Sequence, residues 1–343
     1  MNIRKLFTYN ETYLALVLIA FSLAITIINP VFLTLDNFAD LVKNSTGTAI
    51  LAIGVFIVLL SGGTDVSCTA VAICAEYIAA RFLIATGINN IFAAFAVAVA
   101  VGVTLGAVNA VFVSIFKIPV LIATLGTSSL FHGALLEFVG TKSLNVGDLP
   151  QCFKDFGNLN IIKWNLPDGT PYGLSVFFFI LLFLLLLTWF ILRFTMIGRG
   201  IYALGGNPEA AKRSGFNLHK IQFFIYCYAG FLAGIMGVIH ISLIRYGNPM
   251  YLVGTELTVI AAVVLGGAKI SGGTGTLTGT MLGVAMIMIL QKNLVLIGLS
   301  SYWQDFFVGL IIVIGVTITN LQNKIKFRRK TARRPAVRPA LES

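Results

Sequence analysis

Charge is scarce in this chain. Asp, Glu, Lys and Arg together make up 11% of its 343 residues, whereas hydrophobic residues make up 57%. So few charges cannot coat a water-soluble protein of this length, and the composition therefore excludes a soluble globular domain and predicts an integral membrane protein. The 34 glycines suit closely packed membrane helices.

The chain also lacks the residue patterns of an enzyme or a metal site. No nucleotide-binding P-loop is present, because the nearest stretches, 140–143 and 266–269, lack the upstream glycine or the downstream hydroxyl. His132, His219 and His240 have no carboxylate near them in sequence, and the four cysteines form no CxxC pair. We therefore predict a chain without catalytic residues, bound metal or cofactor.

Long apolar runs dominate instead. The run at 255–267 is short for a hydrocarbon layer of about 30 Å, so it predicts a broken or partly buried helix shielded by its neighbours. The complete set predicts an all-α bundle of about ten transmembrane helices with both termini on one side. The ten runs are 13–30, 46–61, 66–86, 91–115, 119–139, 173–194, 219–242, 255–267, 275–297 and 302–319.

Lysine and arginine are distributed unevenly between the loops. With both termini in the cytoplasm, the cytoplasmic segments hold 17 of the 24 basic residues and the other face holds 7. The net charge of +11 therefore reflects topology and not nucleic-acid binding. We predict a transmembrane domain over 1–320, a structured cap or loop on the outer side over 140–172, and a basic, disordered cytoplasmic tail over 321–343 that contacts anionic lipid.

One polar stretch, 198–220, interrupts the apolar sequence. Asn207 is a suitable N-cap, Pro208 suits the first helical position, and Gly215 supplies a left-handed stop. These residues predict a capped helix of about two turns over 208–214. A short capped helix at a membrane surface is suited to contact with another protein.

Polar side chains inside the runs are candidates for a solute path. In the run 119–139, Thr124, Thr127, Ser128 and His132 recur at helical spacing and predict one polar stripe, which would suit a neutral, hydroxyl-rich solute. The alternative for this stripe is hydrogen bonding between neighbouring helices.

Two acidic residues also fall within apolar runs. Carboxylates that face lipid cost several kcal/mol, so Glu76 and Glu256 should face the bundle or a wet path. For Glu76 we weigh an internal hydrogen bond against a role in proton coupling. For Glu256 the alternative to the path is an outer helix end in ordinary water.

Two glycine-rich stretches, LSGGTD at 60–65 and LGGAKISGGTG at 265–275, interrupt apolar runs on the cytoplasmic side. They predict tight turns where helices approach closely. Asp65 is placed to cap the helix that follows the first turn.

Four stretches together resemble the permeases of bacterial ABC sugar importers of the ribose, galactose, arabinose and autoinducer-2 type. The resemblance extends from about residue 13 to 320, and the sequence departs from the family's LSGGIDLSVGS pattern where Cys68, Thr69, Ala70 and Val71 follow Ser67. The stretches are LSGGTDVS (60–67), IPVLIATLGT (118–127), IYALGGNPEAAKRSGF (201–216) and GTELTVIAAVVLGGAKISGGTGTLTGTMLG (254–283).

The resemblance implies a type II ABC importer-like permease in the bacterial cytoplasmic membrane. Its partners would be a second permease subunit, identical or related, a cytoplasmic ATPase subunit that carries ATP and Mg, and an extracytoplasmic solute-binding protein. The solute path of such a permease would be lined by the polar residues singled out above on their own spacing and charge, namely Thr124, Thr127, Ser128, His132, Glu76 and Glu256. The residues that couple to the ATPase would be Gly198, Arg199, Ala203, Leu204, Gly205, Gly206, Asn207, Pro208, Glu209, Ala210, Ala211, Arg213 and Gly215.

Two other functions stay open on the sequence. A permease for nucleosides or branched-chain amino acids shares the general architecture. A secondary transporter or channel would instead use the acidic residues to couple protons or to pass ions.

Overall fold

The computed structural model describes residues 10–165 and 171–296, together with the isolated positions 303, 306, 309, 310 and 313. Helices dominate this part of the chain, and π turns at Val111–Ile115 and Leu135–Val139 extend two of them. In chain order the elements are α1 (Asn10–Ile28), a 3-10 turn (Pro30–Leu33), α2 (Leu35–Leu60), α3 (Cys68–Thr86), α4 (Ile91–Ala110), α5 (Val120–Ala134), α6 (Gln151–Gly157), β1 (Asn160–Asn165), β2 (Pro171–Ser175), α7 (Val176–Phe194), α8 (Met196–Gly206), α9 (Pro208–Arg213), α10 (Leu218–Ile244), α11 (Glu256–Leu265) and α12 (Leu277–Leu296).

Seven of these helices are long and apolar enough to cross a membrane: α1 to α3, α4 and α5 with their π turns, α7 and α10. They correspond to the first seven predicted runs, so the polytopic membrane fold is confirmed. The number ten and the side of the termini stay predictions. Most of the run 302–319 and all of the tail 321–343 lie outside the described residues.

The core of the bundle forms around α10, which packs against α2, α3 and α4. Glycine makes the contact with α4 possible, because a Cβ at Gly102 would overlap the carbonyl oxygen of Gly230, and one at Gly106 would overlap that of Tyr226. Backbones this close gain dispersion contacts along their whole length, which is a main source of helix association in lipid.

Helix α2 separates two structurally different ends of the molecule. Its 26 residues span about 39 Å. At its end, Leu60 contacts Gly205 of α8; near its start, the Lys43 ammonium donates a hydrogen bond to the carbonyl of Gly157 in α6 (3.0 Å). We call these the inner and outer ends, after the orientation predicted by the lysine and arginine distribution.

The outer end carries the structured cap predicted for 140–172. Helix α6 lies beside an antiparallel hairpin in which Trp164 pairs with Tyr172. The hairpin continues directly into α7, whose N-cap Ser175 accepts a hydrogen bond from the amide of Phe177.

The predicted broken helix at 255–267 is confirmed. After α10 ends, Gly247 pairs with Leu144 at the outer end through two backbone hydrogen bonds. The chain then turns inward without helical structure over 248–255, and α11 begins only at Glu256, which lies beside Thr69 in the first turn of α3. The resulting helix has ten residues, and its last five, 261–265, are buried.

Candidate functional site

Three glycine pairs meet at the inner end of the bundle. A Cβ on Gly205 would overlap the carbonyl oxygen of Leu60, so no side chain fits there. The same carbonyl accepts a hydrogen bond from the amide of Gly273 (2.9 Å). The pairs are Gly62 and Gly63 after α2, Gly205 and Gly206 at the end of α8, and Gly272 and Gly273 between α11 and α12. We call this contact the glycine junction.

The polar stretch beside the junction contains the predicted capped helix. Asn207 accepts a hydrogen bond from the amide of Ala210 (3.0 Å), Pro208 is the first helical residue, and Gly215 has φ +85°. The helix α9 ends at Arg213, one residue earlier than predicted, because the backbone of Ser214 leaves the helical region.

The preceding helix α8 was not predicted. Its N-cap is Thr195, whose hydroxyl accepts from the amide of Gly198 (3.1 Å). Among the predicted coupling residues, eight are exposed on α8, α9 and the turn that follows, and three of these are charged. Gly198, Leu204 and Ala211 are buried, and Ala203 and Gly205 are half-buried. The exposed residues are Arg199, Gly206, Asn207, Pro208, Glu209, Ala210, Arg213 and Gly215.

A cleft of about 830 Å³ lies at the inner end next to α9. It separates α9 from the turn between α4 and α5, where Lys117 adopts a left-handed backbone (φ 55°). On one wall the Ser114 hydroxyl lies 2.9 Å from Nδ1 of His219. The cleft therefore leaves the inner end of α5 accessible beside α8 and α9, which we call the polar helix pair.

The predicted stripe on α5 divides into a buried and a half-buried part. Thr124 accepts a hydrogen bond from the amide of Val66 (3.2 Å), and Thr127 donates one to Oδ1 of Asn109 (2.6 Å). Both threonines are buried. Their contacts match the alternative of hydrogen bonding between segments, and a role of either in lining a path stays a prediction.

The buried network continues to Asp65. Asn109 donates to the Ser67 hydroxyl (2.7 Å), which donates to Oδ1 of Asp65 (2.6 Å). The prediction that Asp65 caps α3 is wrong, because its carboxylate bonds the amide of Ser67, two residues on, in a local turn before the helix. Burial raises the pKa of the Asp65 carboxyl, and the two hydrogen bonds from Ser67 oppose that rise.

The half-buried part of the stripe makes no hydrogen bond to this network. Ser128 is half-buried, and Nε2 of His132 lies 2.8 Å from the carbonyl oxygen of Pro249. Glu256 accepts hydrogen bonds from the Thr69 hydroxyl (3.1 Å) and the amide of Gly254 (3.0 Å) and is also half-buried.

We define the polar wall as Ser128, Ser129, His132 and Glu256 together with the backbone of 249–255. Ser129 was missed from the sequence, although it lies three residues before His132. Within the described residues the hydroxyls of Ser128 and Ser129 make no hydrogen bond, and the exposed glycines Gly126 and Gly133 flank them. The wall is thus a set of hydrogen-bonding groups at mid-depth of the bundle, and Glu256 is its one acidic member.

Glu76 does not lie on the wall. Its Oε2 is 2.6 Å from Nδ1 of His240, and both side chains are buried. The ring of Tyr251 packs against His240, with ring centroids 5.4 Å apart. This pair joins α3 to α10 behind the segment 248–255, which is the internal hydrogen bond that we weighed for Glu76.

The bundle of membrane-length apolar helices is that of a multi-pass membrane protein, and the polar wall lies at mid-depth of it. Residues 37–316 match the family described as "Branched-chain amino acid transport system / permease component", and the chain belongs to this family. It is therefore a permease, a transport component and not itself an enzyme.

Several similar proteins cover most of the chain. The ribose import permease protein RbsC of Escherichia coli (strain K12) is 33% identical over 306 residues, 89% of this chain and 91% of the relative. The galactose/methyl galactoside import permease protein MglC of the same strain is 30% identical, covering 96% and 99%. The autoinducer 2 import system permease protein LsrC of Enterobacter sp. (strain 638) is 31% identical, covering 83% and 79%. No solved structure gave a significant match.

Proposed function

We propose that this chain is the permease subunit of an ATP-driven importer and forms the path for a sugar or a sugar-like solute. The observation that carries the proposal is the polar wall, in which the free hydroxyls of Ser128 and Ser129 lie at mid-depth of α5. Hydroxyls and a histidine ring offer neutral donors and acceptors that match the hydroxyls of a sugar. The names of the three relatives, each an import permease for a small hydroxyl-bearing solute, support the same class.

The path would run between two permease subunits, each contributing one polar wall. Unpaired hydroxyls are unfavourable in lipid, since each unsatisfied group costs free energy there. A second copy, or a related chain, placed against α5 would remove them from lipid and leave a polar channel between the two walls. The flanking Gly126 and Gly133 would let a partner approach without steric conflict, since a Cβ at either position would have no neighbour within 4 Å.

The inner end would bind the ATPase subunit, on which ATP and Mg act. The chain belongs to a permease family that has no hydrolytic role of its own, so energy must enter through a partner that binds its two conformations differently. The exposed polar surface of α8 and α9 supports docking there, because the glycine junction joins it rigidly to the bundle. The cap formed by α6 and the hairpin is the corresponding surface for a solute-binding protein outside the cytoplasmic membrane.

Reconstitution tests this function directly. The chain is co-expressed with a candidate ATPase subunit and a candidate solute-binding protein and is placed in proteoliposomes. Uptake of radiolabelled ribose, galactose and leucine is then measured with and without ATP on the side of the membrane that the ATPase faces. We expect ATP-dependent uptake that unlabelled sugar abolishes. Uptake that proceeds without the ATPase would contradict the proposal and favour a secondary transporter.

A branched-chain amino acid permease is the second candidate, because the description of the matching family names that solute class. The polar wall argues against it. Its members are hydrogen-bonding side chains and backbone groups, which match the hydroxyls of a sugar better than the apolar side chain of leucine. If leucine uptake depends on ATP and sugars do not inhibit it, the chain is a branched-chain amino acid permease.

A further inference from the structure

The loop 61–67 touches both functional surfaces. It follows α2 at the glycine junction and leads into α3, and on the way it packs against the start of α5. It therefore connects the polar helix pair α8–α9 physically with the helix that carries Ser128 and Ser129.

The approach to α8 is one of backbone to backbone. A Cβ at Gly205 would overlap the carbonyl oxygen of Leu60, the residue just before the loop, and a Cβ at Gly62 would lie 3.8 Å from the Cα of Gly205. On the other side of Gly62, a Cβ at Gly272, between α11 and α12, would lie 2.6 Å from the Gly62 backbone. Side chains can change rotamer and absorb a small displacement, whereas backbone in direct contact cannot. A displacement of α8 is therefore passed on to the loop.

The contact with α5 uses one glycine and two hydrogen bonds. A Cβ at Gly63 would lie 2.7 and 2.8 Å from the two methyl carbons of Val120, the first residue of α5. One turn later, the Thr124 hydroxyl accepts from the amide of Val66 (3.2 Å) and lies 3.3 Å from the carbonyl oxygen of Thr64. The next turn of α5 brings Ser128.

We propose that the loop 61–67 is a mechanical relay that moves α5 when the polar helix pair moves, with Gly63 as a positioning residue that sets the distance between loop and helix. This inference rests on the proposed function, since it assumes that a partner moves α8 and α9. It assigns to Thr124 a role in transmission behind the wall, in place of contact with the solute.

Gly63→Ala tests the relay by packing alone. The backbone of Gly63 lies outside the left-handed region, so alanine introduces no backbone strain there. The added methyl must push Val120, and with it the first turn of α5, away from the loop. Gly54→Ala in α2 is the matched control, because its Cβ would meet its nearest neighbour, Ala229, at an ordinary 3.5 Å.

The readout is the rate at which a polar thiol reagent labels Ser128→Cys in the full complex with the ATPase, measured with and without ATP. The background has the four native cysteines, Cys68, Cys74, Cys152 and Cys227, replaced by alanine. We expect ATP to change the labelling rate about fivefold or more in this background and in Gly54→Ala, which is the usual range of coupling between sites. In Gly63→Ala the change should vanish although the complex still assembles and co-purifies.

Rescue separates transmission from misfolding. Val120→Ala removes both methyl carbons and leaves the nearest atom at 3.0 Å, so the double variant Gly63→Ala/Val120→Ala should regain most of the ATP-dependent change. An unchanged ATP response in Gly63→Ala overturns the relay and leaves the proposed function standing, and so does a double variant that assembles without regaining the response. No response to ATP in the background itself overturns the proposed function as well.

Discussion

Helices α5 and α7 are both membrane-length and both largely exposed, but their outward faces differ in composition. The outward face of α7 consists of large apolar residues, among them Leu182, Phe183, Leu186, Trp189 and Phe190. Helix α5 also exposes Leu121, Ile122, Leu125 and Leu130, but Gly126, Ser129 and Gly133 interrupt them.

The inward faces of the same two helices are alike. Thr188 of α7 is buried against the hydroxyl of Tyr228 (2.8 Å), as Thr127 of α5 is buried against Asn109. Both helices thus hide a hydrogen-bonded threonine, and only α5 also presents hydroxyls outward. Since lipid cannot satisfy a hydroxyl, the comparison indicates that α7 faces lipid and α5 faces a protein or a wet path.

The largest expected effect comes from a carboxylate at the middle of each helix. Leu186→Asp would place a charge against lipid, and inserting an aspartate at the centre of a membrane helix costs about 3 kcal/mol of free energy. We therefore expect little folded subunit in the membrane. Ser129→Asp at the matched depth of α5 should accumulate nearly as the unchanged chain does, with altered uptake. Quantifying the folded subunit extracted from membranes checks this, and equal losses in both variants would remove the distinction between the two faces.

A bulky side chain added to the outward face should reduce uptake when it is on α5 and leave uptake unchanged when it is on α7. A Cβ at Gly126 would have no neighbour within 4 Å, so Gly126→Phe can fold, but its ring would project from the face that carries the wall. We expect uptake to fall about tenfold, which corresponds to about 1.4 kcal/mol. Leu182→Phe on α7 should leave uptake unchanged. Initial uptake rates normalised to subunit amount measure both, and a Gly126→Phe variant with normal uptake would place α5 against lipid.

The inward faces predict a smaller and equal effect. Thr127→Val leaves Oδ1 of Asn109 without its donor, and Thr188→Val leaves the Tyr228 hydroxyl without its partner. Each should destabilise the subunit by about 1–3 kcal/mol, as is usual for an unsatisfied buried group. Thermal unfolding of the purified subunit should show similar shifts, with no change in the order of preference among sugars. A change in the order of preference among sugars in Thr127→Val alone would show that Thr127 lines the solute path.

Local features of this fold were predictable from the sequence and long-range ones were not. Asn207, Pro208 and Gly215 act within one short helix, so capping rules predicted α9 to within a residue. Helix α8 was missed because its four glycines lower helix propensity, whereas in the structure close packing requires them, as at Gly200 against Ile221.

The candidate site shows the same limit. Helical periodicity placed Thr124, Thr127, Ser128 and His132 on one stripe, but it cannot say which neighbours cover a stripe, so the buried threonines were not distinguished from the half-buried Ser128 and His132. The pairing of Glu76 with His240 joins residues 164 positions apart, and no local pattern indicates it. The sequence showed the glycine junction only as separate turns, because its three segments are far apart in the chain and come into contact only in the folded structure.

The smallest perturbation is a single cysteine substitution, which reports whether each helix face meets water or lipid and changes the packing little. In the background free of native cysteines, Ser129→Cys should react with a polar, membrane-impermeant thiol reagent, because a wet wall supplies both access and the water needed to ionise the thiol. Phe190→Cys on α7 is as exposed in the subunit but should stay unreactive in lipid. Thr124→Cys and Thr127→Cys, buried behind the wall, should also stay unreactive in every conformation. Mass spectrometry of the labelled complex measures the extent of reaction of all four variants. If Phe190→Cys reacts and Ser129→Cys does not, then α7 faces the wet path and α5 faces lipid, which contradicts the comparison.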